Sequence, residues 1–110
     1  LYITQSIVDF CEKPPILRCR GDEDRTTQGR RRQALARAFR AQGDVVVDLS
    51  ELAFADVSLM VDLAMLARRL RARGRGLRLR GAQPQIRRQI VRAGLHRLAG
   101  IRVEDRPAFA

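Results

Sequence analysis

Three polar side chains in this sequence could do chemistry beyond folding: Asp24 in a polar loop, and Asp56 and Ser58 between apolar runs. Ser58 follows Asp56 by two residues, at a seam in "VVVDLSELAFADVSLMVDLAMLARRL" (45–70) where an apolar run gives way to helical spacing. A serine hydroxyl at a helix start can accept an orphan backbone N–H, contributing ~1 kcal/mol. The same hydroxyl carrying a phosphate would add a charge of about −1.5 to −2. The positive end of the helix dipole would tolerate that charge, and Asp24 and Asp56 would repel it if they stood close. Ser58 is therefore either a cap or a switch.

Asp24 and Asp56 also have the form of a carboxylate pair for acid–base work. No nucleophile, base and orienting group can be assembled beside them, and His96, the lone histidine, lies far along the chain. No enzyme is expected. Cys11 and Cys19 form neither a CxxC nor a Cys/His cluster, which excludes a zinc-type site and predicts two reduced, structural thiols. No metal or cofactor is expected.

These groups must be positioned by a chain of 110 residues with 45% hydrophobic content, enough for one small domain (1–110) with a sizeable core. Aromatics are scarce, which argues against a stacking platform for single-stranded nucleic acid. The net charge is +10, and Lys13 is the only lysine among the 22 basic residues. A GC-rich coding genome would account for part of that arginine bias. The charge itself predicts affinity for polyanions, greatest at low salt. Yet the arginines of "GRRRQ" (29–33) and "RRLRARGRGLRLR" (68–80) interleave with core residues at helix and strand periods, so they read first as solvated faces. No helix-turn-helix, RNP-like motif or phosphate loop accompanies them. No apolar run reaches the ~18 residues of a membrane span, and no leader pattern is evident. The expected location is the cytoplasm, with no membrane partner. A start at Leu1 predicts that a few residues precede it in the full protein.

The periodicities predict a strand over 1–8, a turn over 9–15 and a second strand over 16–20, with Leu17 and Cys19 inward. A polar loop leads to a helix over about 30–41, with Leu35, Ala38 and Phe39 inward and Arg30, Arg37 and Arg40 on the wet side. "VVVDL" (45–49) predicts a strand covered on both faces. A helix capped by Ser58 or Asp56 runs to about Arg73, burying Met60, Leu63, Leu66, Ala67 and Leu70. "LRLRG" (77–81) predicts a strand with one solvated face. Pro84 opens a third helix, with Ile86, Ile90 and Val91 inward and Gly94 as its stop. "IRVE" (101–104) is the last strand. This β-β-α-β-α-β-α-β order predicts an α/β fold, a mixed sheet of four or five strands packed with three to four helices.

Three stretches carry a resemblance to a known family: "GDED" (21–24), "VVVDLSELAFADVS" (45–58) and "RGAQPQIRRQIVRAGLHRLAGI" (80–101). Together they resemble the STAS domain, the fold of anti-sigma factor antagonists and of the cytoplasmic tails of sulfate transporters. The resemblance implies a regulatory protein-binding module that engages an anti-sigma factor which is also a serine kinase, with Ser58 at the phosphorylated position. It places Gly21, Asp24, Asp56, Val57, Ser58, Leu59 and Met60 on the partner-binding surface, Leu59 and Met60 serving as apolar anchors. Val57 and Leu59 depart from the family pattern, where a small residue and a glycine are usual. The alternative is a basic adaptor that binds nucleic acid or another polyanion on the same scaffold.

Overall fold

The computed structural model of the chain describes residues 7–104. The strands are β1 (Ile7–Glu12), β2 (Pro15–Glu23), β3 (Val45–Ala55), β4 (Leu77–Arg80) and β5 (Ile101–Glu104). The helices are α1 (Gln28–Ala38), α2 (Val57–Ala72) and α3 (Pro84–Arg92), with short 3-10 turns at Arg25–Thr27 and Leu95–Arg97. The sheet runs β1-β2-β3-β4-β5, with β1 antiparallel to β2 and the other neighbours parallel. Each parallel connection steps to the next strand in the same direction. Right-handed crossovers then place α1, α2 and α3 on one face of the sheet.

The burial pattern agrees with this two-layer arrangement. Leu17, Cys19, Val45, Val47, Leu49, Leu77 and Leu79 are buried beneath Leu35, Leu63, Leu66, Leu70, Ile86 and Ile90. The alternate strand residues face outward, where a row of charges crosses all five strands: Asp9, Arg18, Asp48, Arg80 and Glu104. Arg18 Nε lies 3.9 Å from Asp48 Oδ2, and Arg80 Nε lies 3.5 Å from Glu104 Oε2. These pairs are solvent-exposed, so each contributes at most ~1 kcal/mol.

The architecture matches the expectation in strand order and helix number, and several details differ. The first strand is Ile7–Glu12 rather than 1–8, because Phe10 supplies the buried side chain opposite Leu17. Residues 1–6 of the expected strand lie outside the described residues. Strand β3 is covered on one face only: Val46 is half-buried and Asp48 joins the outer row. Val91, expected inside, is 50% exposed, since Ile86 and Ile90 at i and i+4 suffice to seat this short helix.

The largest difference positions the site. Strand β2 continues to Glu23 and β3 to Ala55, well past the expected ends at 20 and 49. Two register shifts, between Arg18 and Arg20 and between Gly21 and Asp22, interrupt the alternation. Ser50 and Glu51 are both exposed, so "SELAF" looks like a loop although Leu52 and Ala55 return to the core. Gly21 has φ 72, a left-handed conformation that glycine adopts without a side-chain penalty and that suits a bulged strand. The bulged β2–β3 ribbon thus extends beyond the end of β4.

Candidate functional site

The ends of the ribbon bring two sequence segments side by side. Glu23 pairs with Ala55, and the Asp56 amide donates to the Glu23 carbonyl at 3.0 Å. Asp24 and Asp56 then leave adjacent parallel strands as helix caps. Asp24 caps the turn before α1: its carboxylate accepts from the Thr26 amide at 2.8 Å and the Thr26 hydroxyl at 2.6 Å. Its own amide donates to Thr27 Oγ1 at 3.0 Å, which completes a capping box. Asp56 caps α2, with its Oδ1 accepting from the Ser58 amide at 2.8 Å. The cap is therefore Asp56, and Ser58 lies in the first turn with its hydroxyl free for another use.

That use is set by Arg31 on α1, which is only 1% exposed. A buried guanidinium is tolerated when its charge is paired and its donors are satisfied. Here Nε donates to Asp62 at 2.7 Å, and Nη1 donates to Glu23 at 3.2 Å and to the Asp24 carbonyl at 3.0 Å. The Nη2 group donates to Ser58 Oγ at 2.7 Å. Arginine can only donate, so the Ser58 oxygen accepts from it and the single hydroxyl proton goes to Asp56 Oδ1, 2.5 Å away. One hydroxyl thus links a buried cation to a surface carboxylate.

The two capping carboxylates, Asp24 and Asp56, are held ionised. Asp24 sits below its ordinary value, chiefly through the Thr26 hydroxyl and secondarily through the Thr26 and Thr27 amides and Arg31, against a smaller desolvation effect. Desolvation pushes Asp56 upward, but hydrogen bonds from the Ser58 hydroxyl and amide and from the Arg25 amide, with the Arg31 charge, hold it below 3.8. Elsewhere, burial pushes the Cys19 thiol far above its usual range, while Cys11 is exposed. Both cysteines are free. Among the described residues no group of His, Cys, Asp or Glu has the arrangement to hold a metal ion.

Asp24, Asp56 and Ser58 therefore come together as the sequence suggested. Val57 lies beside them and is 74% exposed. Gly21 sits half-buried in the strand bulge and shapes the ribbon from behind the site. Leu59 and Met60 do not belong to an exposed surface: they are 1% and 4% exposed and pack into the core, because the α2 face carrying Leu63, Leu66 and Leu70 begins with them. Glu23, Arg31 and Asp62 are functional neighbours that the sequence reading missed. For Arg31 and Asp62 the signal was helical register. Arg31 falls in the buried 31–34–35–38 stripe of α1, and Asp62 lies one turn after Ser58 on α2.

A mixed five-stranded sheet, antiparallel only at β1 and covered by helices on one face, with a serine and two capping carboxylates at the strand ends, has the form of a STAS-type domain. A family model described as "Mlab, STAS domain" matches residues 7–102, and the chain belongs to that family. A search of curated proteins finds no match. Among solved structures, the unphosphorylated anti-sigma factor antagonist SpoIIAA is similar, with a TM-score of 0.66 at 18% identity, covering 92% of this chain and 88% of that one. The phosphorylated form of SpoIIAA, described as a Bacillus cell fate determinant, gives a TM-score of 0.66 at 17% identity, covering 92% of each chain. These two likenesses bear on the fold. Among the described residues no helix is long and apolar enough to cross a membrane.

Proposed function

We propose that this chain is a cytoplasmic regulatory module that binds an anti-sigma factor or a related serine kinase through the face formed by Asp24, Asp56, Val57 and Ser58. Phosphorylation of Ser58 would switch that binding. The observation that carries this reading is the Ser58 hydroxyl held between Arg31 and Asp56 at a helix start, beside an exposed valine. A phosphate ester there has no hydroxyl proton, so the bond to Asp56 is lost. The added charge of about −1.5 to −2 would stand beside Asp56, with the Glu23 and Asp62 carboxylates on the same guanidinium. Repulsion changes the docking face without refolding the sheet. Leu59 and Met60 point inward, so Val57 is the one bulky flank a kinase would meet. The likeness to SpoIIAA, an anti-sigma factor antagonist with unphosphorylated and phosphorylated forms, supports this reading.

A second reading, a basic adaptor for nucleic acid or another polyanion, is favoured by the helix arginines, which have almost no acidic neighbours along their helices. One experiment separates the two. The tagged chain is recovered from its own host after nuclease treatment, and both its partners and its own mass are determined. A co-purifying ATPase-type kinase or anti-sigma factor, retained at moderate salt and lost in Val57→Asp, is the expected result, with one phosphate on Ser58 marking the switch. Recovery of nucleic-acid-associated proteins alone, lost steeply with salt, would overturn the first reading in favour of the second.

A further inference from the structure

A groove adjoins the proposed docking face. Val57, Val61 and Ala64 line one wall at helical spacing along α2, and Ala93 and Leu98 line the other, enclosing about 540 Å³. Val57 and Val61 are 74% and 49% exposed, so this apolar strip faces water instead of a neighbouring element. Gln89 fixes the α3 wall by donating its side-chain amide to the Ala55 carbonyl at the end of β3. Arg68 and Arg92 stand at the rim, and no carboxylate lines the groove. Neither arginine makes an ion pair among the described residues. From Val57 to Arg68 the helix advances about 16 Å, roughly three turns of an occupant helix.

We propose that this groove receives an amphipathic, acidic helical segment of the protein partner, with its apolar stripe on Val57 and Val61 and its carboxylates on Arg68 and Arg92. The inference rests on the protein-binding reading above and assigns the partner's chemistry. An apolar floor between two helices suits helix-in-groove recognition. A nucleic-acid backbone would use the two arginines and leave the floor empty. A second copy of the chain is a poor occupant, because its own helices carry arginines on every turn that is charged except at Asp62. Such a pairing would set like charges together.

The test places a photo-crosslinking residue at Val61, in the groove, and separately at Arg25, in the exposed turn beside Asp24. The full chain is irradiated in its host and the attached peptides are identified. The expected result is the same protein at both positions, with the Val61 peptide acidic and apolar at helical spacing. Substituting Arg68→Glu with Arg92→Glu should then weaken that complex at least about tenfold, and reversing the partner's carboxylates to lysine should restore it. Both arginines are exposed, so the doubly substituted chain should fold as the parent does. A Val61 adduct with nucleic acid, lipid, a second copy or a non-acidic peptide would overturn the groove assignment, as would no adduct there. If Arg25 still captures a kinase or anti-sigma factor in those cases, the docking face stands without the groove. Loss of capture at both positions would bring down both.

Discussion

The two faces of this molecule use arginine in opposite ways. On the open face of the sheet, arginines alternate with carboxylates in a row across five strands, and the strands carry fewer arginines than acids. On the helix layer α1 carries four arginines, α2 three and α3 three, with Asp62 the only acid among them. The net charge of +10 is therefore segregated on the helices and loops rather than spread over the surface. Cross-strand neighbours interact at short range, so a like-charged row would be penalised there. A helix facing water lets its arginines diverge, and some find other partners. Arg69 lies 4.5 Å from the centre of the Phe39 ring. Arg31 belongs to neither regime: it is a helix arginine turned inward, and it holds the site.

Removing charges from each regime tests this contrast. The largest effect is expected for Arg31→Met, which leaves buried Glu23 and part-buried Asp62 without their cation. A loss of about 3–5 kcal/mol in urea denaturation is expected. Arg18→Met, in the exposed row, should cost no more than about 1 kcal/mol. Equal losses would erase the distinction between the buried arginine and the outer row.

A smaller loss is expected for Ser58→Ala, about 1–3 kcal/mol, because Arg31 Nη2 is left without its acceptor. If melting curves show no change, the hydroxyl is not part of the buried network.

Acid should act through the same site. Asp24 and Asp56 have folded pKa values below their unfolded value of 3.8. Their stabilising contribution is present above that value and is lost as pH falls through the folded pKa. Asp56→Asn keeps a capping side chain but not the charge, so its stability should fall less steeply in acid than that of the parent. An unchanged acid limb in denaturant titrations would remove Asp56 from that account.

The smallest effects should differ in sign. Arg80→Glu puts three carboxylates in succession beside Asp48 and Glu104 and should lower stability by up to about 1 kcal/mol. Arg88→Glu relieves repulsion among the helix arginines and should be neutral or slightly stabilising, within about 0.5 kcal/mol. Thermal melts at low salt would read both, and the same sign in the two variants would contradict the charge segregation.

Much of this was legible in the sequence. The order of strands and helices followed from periodicity and from Pro and Gly stops, Asp56 and Ser58 stood out by type and spacing, and the family resemblance of "GDED" added Asp24. The strand ends were not legible. A bulge places two exposed residues in succession at Ser50 and Glu51, which removes the alternation that marks a strand. Leu59 and Met60 were misplaced because apolar residues beside a polar motif suit a core and an interface equally well, and only the rotation of α2 separates the two.

The sequence by itself determined an aliphatic core, an α/β order of elements, an excess of arginine and a serine two residues after an aspartate. Those are properties of composition and of local spacing along the chain. Only the tertiary structure decided which arginine is buried, that Asp56 rather than Ser58 is the cap, and that Glu23, Asp24, Arg31, Ser58 and Asp62 form one network. Those residues come from the end of one strand and from two helices. Their meeting depends on strand register and helix rotation, which are set by packing across the whole sheet.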